Sequence, residues 1–406
     1  MKRKFKELLT GLLATSGLAV LCFCNTACTK QNQVDFTRIS IDPENAGTLK
    51  YSEIYSKIEI LPIETDTAFL IDEVQKLIVE NDKYFFQCNN KILVFNSTGR
   101  PLYKIDNVGK GPGEYIAIGD IILDEGRLEL YDSKQRKIIQ HDENGRYLNE
   151  WRCGIDAYSF VKLNSDLYAF YVGAGGYYNN TNKKLLVFSR KKGKVIDGFI
   201  ETPEYEMEYM HFADLVNFQQ YKEDIYFLYS FNDTIYNITG NGISPRYFID
   251  FGKYRLPHRY LEGKYNGIEA FFSDCLKSGS AFKLMGFFES DEYIISSFFY
   301  NGFNYIHFYY SKSKREARVV DAYFDDMLVK GVEFKTSFYN LPFTVKNNKT
   351  YTVTNAYELM AKIDSLRSKV TVRDWEIFLE KNADIMELYN KISIDSNPVL
   401  LIGSLV

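Results

Sequence analysis

Residues 84–105, YFFQCNNKILVFNSTGRPLYKI, form the stretch that decides the fold. Turns at residues 89–90 and 96–100 separate three runs of aromatic and β-branched residues, a composition that favours strands. About 44 residues further on, residues 128–151 (LELYDSKQRKIIQHDENGRYLNEW) repeat the same order of strands and turns. The last turn of both copies ends in Gly-Arg, and glycine supplies the positive φ that such hairpin turns need. The repeat predicts hairpin-connected strands in similar successive units.

Weaker copies of the unit begin near residues 167, 225, 293 and 334. Six units of roughly 40 to 68 residues, each with three or four strands, predict an all-β, six-bladed β-propeller over residues 53–354. A β-sandwich is the alternative, but it needs two long sheets and not repeated short ones. The strand at residues 57–63 precedes the first unit, and we expect it to complete the last blade and close the ring.

The C-terminal segment, residues 355–406, departs from this pattern. Asn355 and Thr371 are suited to cap two helices, ending near residues 368 and 392, and apolar residues recur at helical spacing in the second. Residues 397–402 resemble a final strand. We expect the helices to pack on the propeller; a partner-binding helix is the alternative.

The first 27 residues have the features of a signal peptide. A basic start is followed by an apolar run of about 16 residues and by small residues before Cys28. Ala27-Cys28 is typical of a lipoprotein signal, so we predict acylation of Cys28; an ordinary cleaved signal is the alternative. Residues 28–52 would then be a lipid-anchored tether, and the protein would be held to a membrane in the cell envelope, at the outer membrane or facing the periplasm.

Composition restricts the possible partners. Removing residues 1–27, with four basic residues and one acidic residue, changes the formal net charge from −4 to −7. This mild acidity argues against a nucleic-acid partner, which needs a basic face. Cys88, Cys153 and Cys275 lie far apart and form neither a disulfide framework nor a zinc motif, and the four histidines are scattered. We predict no cofactor, with calcium as the one ion to test.

Several of these features resemble one family. The leader ending in a cysteine, the loop GKGPGEY at residues 109–115, the Asn-Gly-Arg turn and the Asn-Pro pair at residues 397–398 resemble the Bacteroidota-type six-bladed β-propeller lipoproteins. The GxGPGEY element is the most specific part of this resemblance, which covers the mature chain. The resemblance implies a propeller fold and an envelope location, and it carries no established catalytic residues.

The GKGPGEY loop is the first candidate site. It links the outermost strand of one unit to the innermost strand of the next, so we expect its glycine-rich end near one mouth of the central channel. Gly111 and Gly113 permit backbone conformations closed to other residues, and exposed amides there would bind an anion. Alternatively the loop is a structural crossover, with Glu114 accepting backbone hydrogen bonds and Tyr115 packed between blades.

The channel mouth is the second candidate site. Innermost strands are expected to begin near Glu73, Asp120, Asp214 and Lys283, with His211 close to Asp214. Converging carboxylates would hold calcium or a cationic ligand, and an Asp–His pair would perform acid–base chemistry. A solvated rim without function is the alternative.

Aromatic insertions are the third candidate. Residues 173–180 and 253–280 carry tyrosines and phenylalanines suited to stacking on a sugar or contacting a protein, although packed rings are equally consistent with the pattern. Because no catalytic motif appears, we expect a non-enzymatic lipoprotein whose propeller face binds a glycan, a peptide or a partner protein. The alternative is a hydrolase or lyase that uses carboxylates at the channel mouth.

Overall fold

The computed structural model is mostly β and describes residues 36–174, 179–210, 214, 216–337 and 340–406. The predicted signal peptide, Cys28 and His211 lie outside the described residues, as do the tyrosines at positions 177 and 178.

Three strands precede the first predicted unit: β1 (Thr37–Ser40), β2 (Gly47–Lys50) and β3 (Tyr55–Pro62). The following strands then form four-stranded meanders, in which each strand pairs with the next along the chain. The first sheet contains β4 (Val74–Glu80), β5 (Lys83–Cys88), β6 (Lys91–Asn96) and β7 (Pro101–Ile105). The second contains β8 (Ile118–Asp124), β9 (Arg127–Asp132), β10 (Lys137–His141) and β11 (Tyr147–Arg152). The third contains β12 (Ser159–Lys162), β13 (Leu167–Tyr171), β14 (Lys183–Ser189) and β15 (Lys194–Glu201).

Helices interrupt the later units. Helix α1 (Glu204–Tyr209) leads to the fourth sheet, with β16 (Phe218–Tyr221), β17 (Asp224–Phe227), β18 (Thr234–Thr239) and β19 (Gly242–Asp250). Helix α2 (Ile268–Lys277) leads to the fifth sheet, with β20 (Ala281–Glu289), β21 (Tyr293–Tyr300), β22 (Asn304–Ser311), β23 (Glu316–Asp325) and β24 (Val332–Lys335). The last elements are β25 (Thr344–Lys346), β26 (Lys349–Thr354), α3 (Ala356–Lys369), α4 (Val372–Lys381), α5 (Ala383–Lys391) and β27 (Val399–Leu405).

The first strands of the six sheets contact one another in cyclic order, as expected for sheets arranged around an axis. The contacting pairs are β4–β8, β8–β12, β12–β16, β16–β20, β20–β25 and β25–β4. Buried apolar side chains also join neighbouring sheets, including the last and the first, where Tyr84 and Phe86 pack in one cluster with Val353 and Leu400. This arrangement is propeller-like, because the apolar faces of each sheet are covered by its neighbours.

The sixth sheet joins three late strands of the chain to the early strand β3. Its order is β25-β26-β27-β3, and β27 pairs antiparallel with β3 from Val399–Pro62 to Leu405–Tyr55. Asn397 adds side-chain hydrogen bonds to the carbonyl groups of Glu64 and Phe69, at 2.8 and 3.0 Å. The strand expected near residues 57–63 therefore completes the last sheet.

The segment before β3 also belongs to the sheets. Strand β1 pairs in parallel with β19, and β2 pairs in parallel with β23, so both extend the outer edges of sheets four and five. Ile39 and Leu49 are buried there. Residues 28–52 were predicted as a tether, and the part from Thr37 onward lies on the sheets, because its alternating apolar side chains find buried positions at these edges.

The C-terminal helices pack against the sixth sheet through Leu359, Ile363 and Leu366 of α3, which contact the cluster of Val399 and Leu401. The Thr371 hydroxyl accepts a hydrogen bond from the Asp374 amide and caps α4 as expected. The second predicted helix is divided at Asn382 into α4 and α5. In the described part of the chain, none of the helices combines the length and apolar character needed to span a bilayer.

Candidate functional site

A narrow cavity of about 190 Å³ lies between the first strands of the sheets. Both charged and apolar residues line it, and on β4 and β8 the charged residues are an even number of positions apart, so they lie on the same face of the strand. Strand β4 contributes Lys76, Ile78 and Glu80, and β8 contributes Asp120, Ile122 and Asp124. We call this cavity the axial channel.

Ion pairs link neighbouring strands around the axial channel. Lys76 on β4 pairs with Asp120 on β8 (Nζ–Oδ1 2.7 Å), and Lys346 pairs with Glu80 of β4 (Nζ–Oε2 2.6 Å). Lys162 of β12 pairs in the same way with Asp124. These carboxylates are therefore neutralised by lysines of an adjacent sheet.

Asp120, one of the predicted site residues, connects three sheets. Besides the Lys76 ammonium, its carboxylate accepts hydrogen bonds from the Ile121 amide (2.8 Å) and from the Phe160 amide on β12 (3.0 Å). The residue is 6% exposed. The carboxylate oxygens accept these hydrogen bonds from groups of the protein, so Asp120 acts as a brace between the first, second and third sheets.

Asp214, a second predicted residue, lies before β16 and pairs with Lys283 of β20 (Nζ–Oδ1 2.7 Å). The Ser230 hydroxyl also donates to its carboxylate. The Asp214 and Lys283 side chains are 4% and 14% exposed. Asp120 and Asp214 thus both lie at the end of the channel where the first strands begin, each within its own ion pair, whereas Glu73 is exposed and does not line the cavities.

A second cavity of about 440 Å³ lies at this same end of the channel. We call it the aromatic pocket, because apolar and aromatic side chains dominate its lining. Lys76, Val216 and Phe343 line both cavities, so the pocket adjoins the channel. The lining residues used below are Lys76, Asp214, Phe272, Lys283, Met285, Phe299 and Phe303.

Two local structures build the wall of the aromatic pocket. The turn between β21 and β22 has positive φ at Asn301 (46°) and Gly302 (92°), and it presents Phe303, which is 64% exposed. Phe272 of α2 contacts Phe303 and Phe299, with ring centroids 5.8 and 5.6 Å apart. Helix α2 belongs to the aromatic insertion at residues 253–280, so that insertion contributes to the candidate site through Phe272.

Other aromatic residues near this insertion are packed against α2. Phe271 and Cys275 of α2 are fully buried beside Tyr209 of α1, and the Tyr209 hydroxyl donates to the Leu261 carbonyl. These contacts fix α2 over the third to fifth sheets and hold Phe272 at the pocket.

The GKGPGEY loop lies away from both cavities, between the outer strands of the first and second sheets. The Gly113 amide donates to Glu150 on β11 (3.0 Å), and the Gly111 amide donates to the Glu114 carboxylate (2.8 Å). Burial raises the pKa of Glu150, but the Lys137 ammonium and the Gly113 amide outweigh this effect and leave the pKa lowered. The loop was expected near the channel mouth, and its position differs because the Gly111 amide is bonded to Glu114 within the crossover and the Gly113 amide to Glu150 on β11.

Tyr115 packs between the first two sheets. The residue is fully buried, and its hydroxyl donates towards the carbonyl groups of Asn90 (2.9 Å) and Ile105 (3.1 Å). Burial raises the pKa of this hydroxyl. A Cβ at Gly109 would lie 2.0 Å from Glu114 Oε2, so a side chain there would displace the Glu114 carboxylate.

Within the described ranges, no group of three or more His, Cys, Asp or Glu side chains is placed to hold a metal ion. His141 on β10 is buried, its ring nitrogens have no hydrogen-bond partner among the described residues, and burial lowers its pKa to about 4.

Several pocket residues were not singled out from the sequence: Lys76, Met285, Phe299 and Phe303. The Asn301-Gly302 pair is a hairpin signal next to the aromatic residues 298–300. This signal could have been used to predict a turn that presents Phe303. Lys76 has no such signal, because its position on the axis depends on the register of β4.

The sheets and axial cavities define a propeller-like all-β protein. The chain belongs to the family described as "Domain of unknown function (DUF4934)", whose model matches residues 36–404. No curated protein matches this sequence.

Among the solved structures similar to this chain, one supports the same fold. A Bacteroides fragilis protein with the name "Putative exported protein" has a TM-score of 0.70 and 15% identity, covering 91% of this chain and 100% of its own. A DUF4221 family member from Bacteroides vulgatus has a TM-score of 0.49 and 10% identity, covering 87% and 99%. Virginiamycin B lyase from Staphylococcus aureus has a TM-score of 0.38 and 12% identity, covering 73% and 82%. At these identities the first likeness supports the fold alone, and the other two carry no argument.

Proposed function

We propose that this protein is an exported, lipid-anchored six-bladed β-propeller that binds a small ligand in the aromatic pocket without chemical conversion. The observation that carries the proposal is the cavity of about 440 Å³, which has the volume and the largely apolar lining of small-molecule sites. The six sheets, the cyclic contacts of their first strands and the pairing of β3 with β27 support the six-bladed propeller.

The pairing of the axial carboxylates favours binding over hydrolysis or elimination. A general base must reach the proton it removes, whereas Asp120 is held by Lys76 and two backbone amides, and Asp214 by Lys283 and Ser230. Withdrawing either carboxylate from these partners would leave a partly buried lysine without its counterion. We therefore retain ligand binding, and not lyase or hydrolase chemistry, as the proposed function.

Replacing Phe303 with Asp tests the pocket. We expect the mature wild-type protein to bind the neutral fluorescent probe N-phenyl-1-naphthylamine, and Phe303→Asp to weaken binding at least about tenfold. The variant removes an apolar ring and places a carboxylate in the apolar wall. Fluorescence titration measures the dissociation constant.

Tyr357→Asp is the matched control, because Tyr357 is also an exposed aromatic residue (51%) but lies on α3, away from the pocket. We expect its probe affinity to equal that of the wild type, and both variants to keep the wild-type melting temperature. Absence of probe binding to the wild-type protein, or equal binding by Phe303→Asp, would refute the pocket as the binding site.

A separate experiment tests the anchor. Cells that express the full chain are expected to incorporate labelled palmitate into the wild-type protein and not into Cys28→Ala, because a thioether-linked lipid requires that cysteine. The anchored protein should partition with membranes and the variant with the aqueous fraction. Cys24→Ala serves as the control and should keep the label; label retained by Cys28→Ala would contradict the assignment.

A further inference from the structure

The charges around the aromatic pocket identify the class of ligand. Building on the proposed function, we infer that the ligand is a small amphipathic acid, with an apolar body held by Phe272, Phe299 and Phe303 and an anionic head held by the ammonium group of Lys76. Carboxylate, sulfonate and sulfate heads share the chemistry that this group recognises.

The first step of the argument is the position of Lys76. Its side chain lines both the aromatic pocket and the axial channel, and it is 25% exposed. An ammonium group has three donors, and its hydrogen bond to a described residue, Asp120 Oδ1, uses one of them. Lys76 can therefore donate to a ligand while it keeps its bond to Asp120.

The second step is the placement of the counterion. Asp120 does not line the aromatic pocket, because its carboxylate turns towards the Ile121 and Phe160 amides. The pocket lining contains Lys76 without the Asp120 carboxylate, whereas Lys283 lies there together with its counterion Asp214. The positive end of the Lys76–Asp120 ion pair therefore faces the apolar wall, which favours an anionic head over a cationic one.

The third step is the shape of the cavity. Phe299, at 4% exposure, and Met285, at 6%, form the inner wall, while Phe303 stands at the exposed edge. Lys76 lies where the pocket adjoins the channel. An acid whose body contacts the phenylalanine rings would thus direct its head towards the axis, and aromatic bodies gain further from edge and stacked contacts with these rings.

Two probes with nearly the same body separate body recognition from head recognition. N-phenyl-1-naphthylamine is neutral, whereas 8-anilinonaphthalene-1-sulfonate adds a sulfonate. In Lys76→Gln we expect the dissociation constant of the sulfonate probe to rise about tenfold and that of the neutral probe to change less than twofold. Lys76→Arg should restore most of the sulfonate affinity, because the charge is kept.

Folding of the variants is checked by thermal melting. If Lys76→Gln is unstable because Asp120 loses its partner, the double variant Lys76→Gln/Asp120→Asn removes both charges and carries the same expectation. In the wild type, raising KCl from 50 to 500 mM should weaken binding of the sulfonate probe and leave binding of the neutral probe unchanged, since salt screens the charge of the sulfonate. Phe303→Asp should weaken both probes.

The outcomes distinguish the two proposals. If the neutral probe does not bind the wild type, the proposed pocket function fails. If the neutral probe binds as expected but the sulfonate probe is insensitive to Lys76 and to salt, the pocket stands and the acidic ligand class is overturned. Sulfonate binding that survives Phe303→Asp would place the probe elsewhere and would also overturn the assignment.

Discussion

Gly99→Ala is expected to destabilise the protein by about 4 kcal/mol, measured as the free energy of unfolding in urea. Gly99 has a φ of +78°, and a Cβ there would lie 2.3 Å from the carbonyl oxygen of Pro62. This obstacle is backbone of β3, the strand that closes the sixth sheet, and the Glu64 amide hydrogen bonds to the Gly99 carbonyl at 2.9 Å. Neither side can move without disturbing the contact between the last sheet and the first.

Gly126→Ala is the matched control for this prediction. Gly126 has nearly the same φ, +76°, but a Cβ there would meet no atom within 4 Å. The variant keeps the backbone strain without the collision, so we expect a loss of about 1 kcal/mol. Equal losses of unfolding free energy for the two variants would show that the close approach of Gly99 to Pro62 adds nothing to the cost of the substitution.

Asp120→Ala is expected to lower the free energy of unfolding by about 3 kcal/mol. The substitution leaves the Lys76 ammonium and the Phe160 amide without their shared acceptor in a site that is almost closed to water. Because Asp120 braces three sheets, we also expect faster amide hydrogen exchange in β4, β8 and β12. Urea unfolding and exchange followed by mass spectrometry measure these two effects.

Glu80→Ala provides the comparison, because Glu80 forms an ion pair with Lys346 at the opposite end of β4. The two side chains are 36% and 44% exposed, so water and salt already screen this pair and we expect a loss of about 0.5 kcal/mol or less. If Asp120→Ala lowers the free energy of unfolding by as little as Glu80→Ala does, the Asp120 carboxylate does not brace the sheets.

The sequence predicts local structure well where short-range signals are strong. The repeat at residues 84–105 and 128–151 corresponds to β5–β7 and β9–β11, because turn glycines and alternating apolar residues specify hairpins without help from distant residues. The strand near residues 57–63 was expected to complete the last sheet, and β3 does so by pairing with β27. Thr371 caps its helix because the hydroxyl acts on an amide three residues away.

The candidate site depends on long-range register and was predicted less well. Asp120, Asp214 and Lys283 were placed at the channel mouth, but Lys76 was not, and neither ion pair was predicted, since Lys76 is 44 residues from Asp120 and Lys283 is 69 residues from Asp214. The GKGPGEY loop was expected near the channel, and the structure places it between outer strands, because the hydrogen bond from Gly113 to Glu150 depends on the tertiary contact with β11. Edge strands β1 and β2 were missed because parallel pairing with β19 and β23 has no local turn signal.

The pairing of β3 with β27 limits the order in which the sheets can form. Asn397 hydrogen bonds to Thr65 across 332 residues, and β3 finds its partner only after β27 has been synthesised. Contacts of such sequence separation form slowly, since a long loop must close before they contribute. The topology therefore delays completion of the sixth sheet until β27 has been made, and any partial chain that stops before β27 leaves the edge of β3 unpaired.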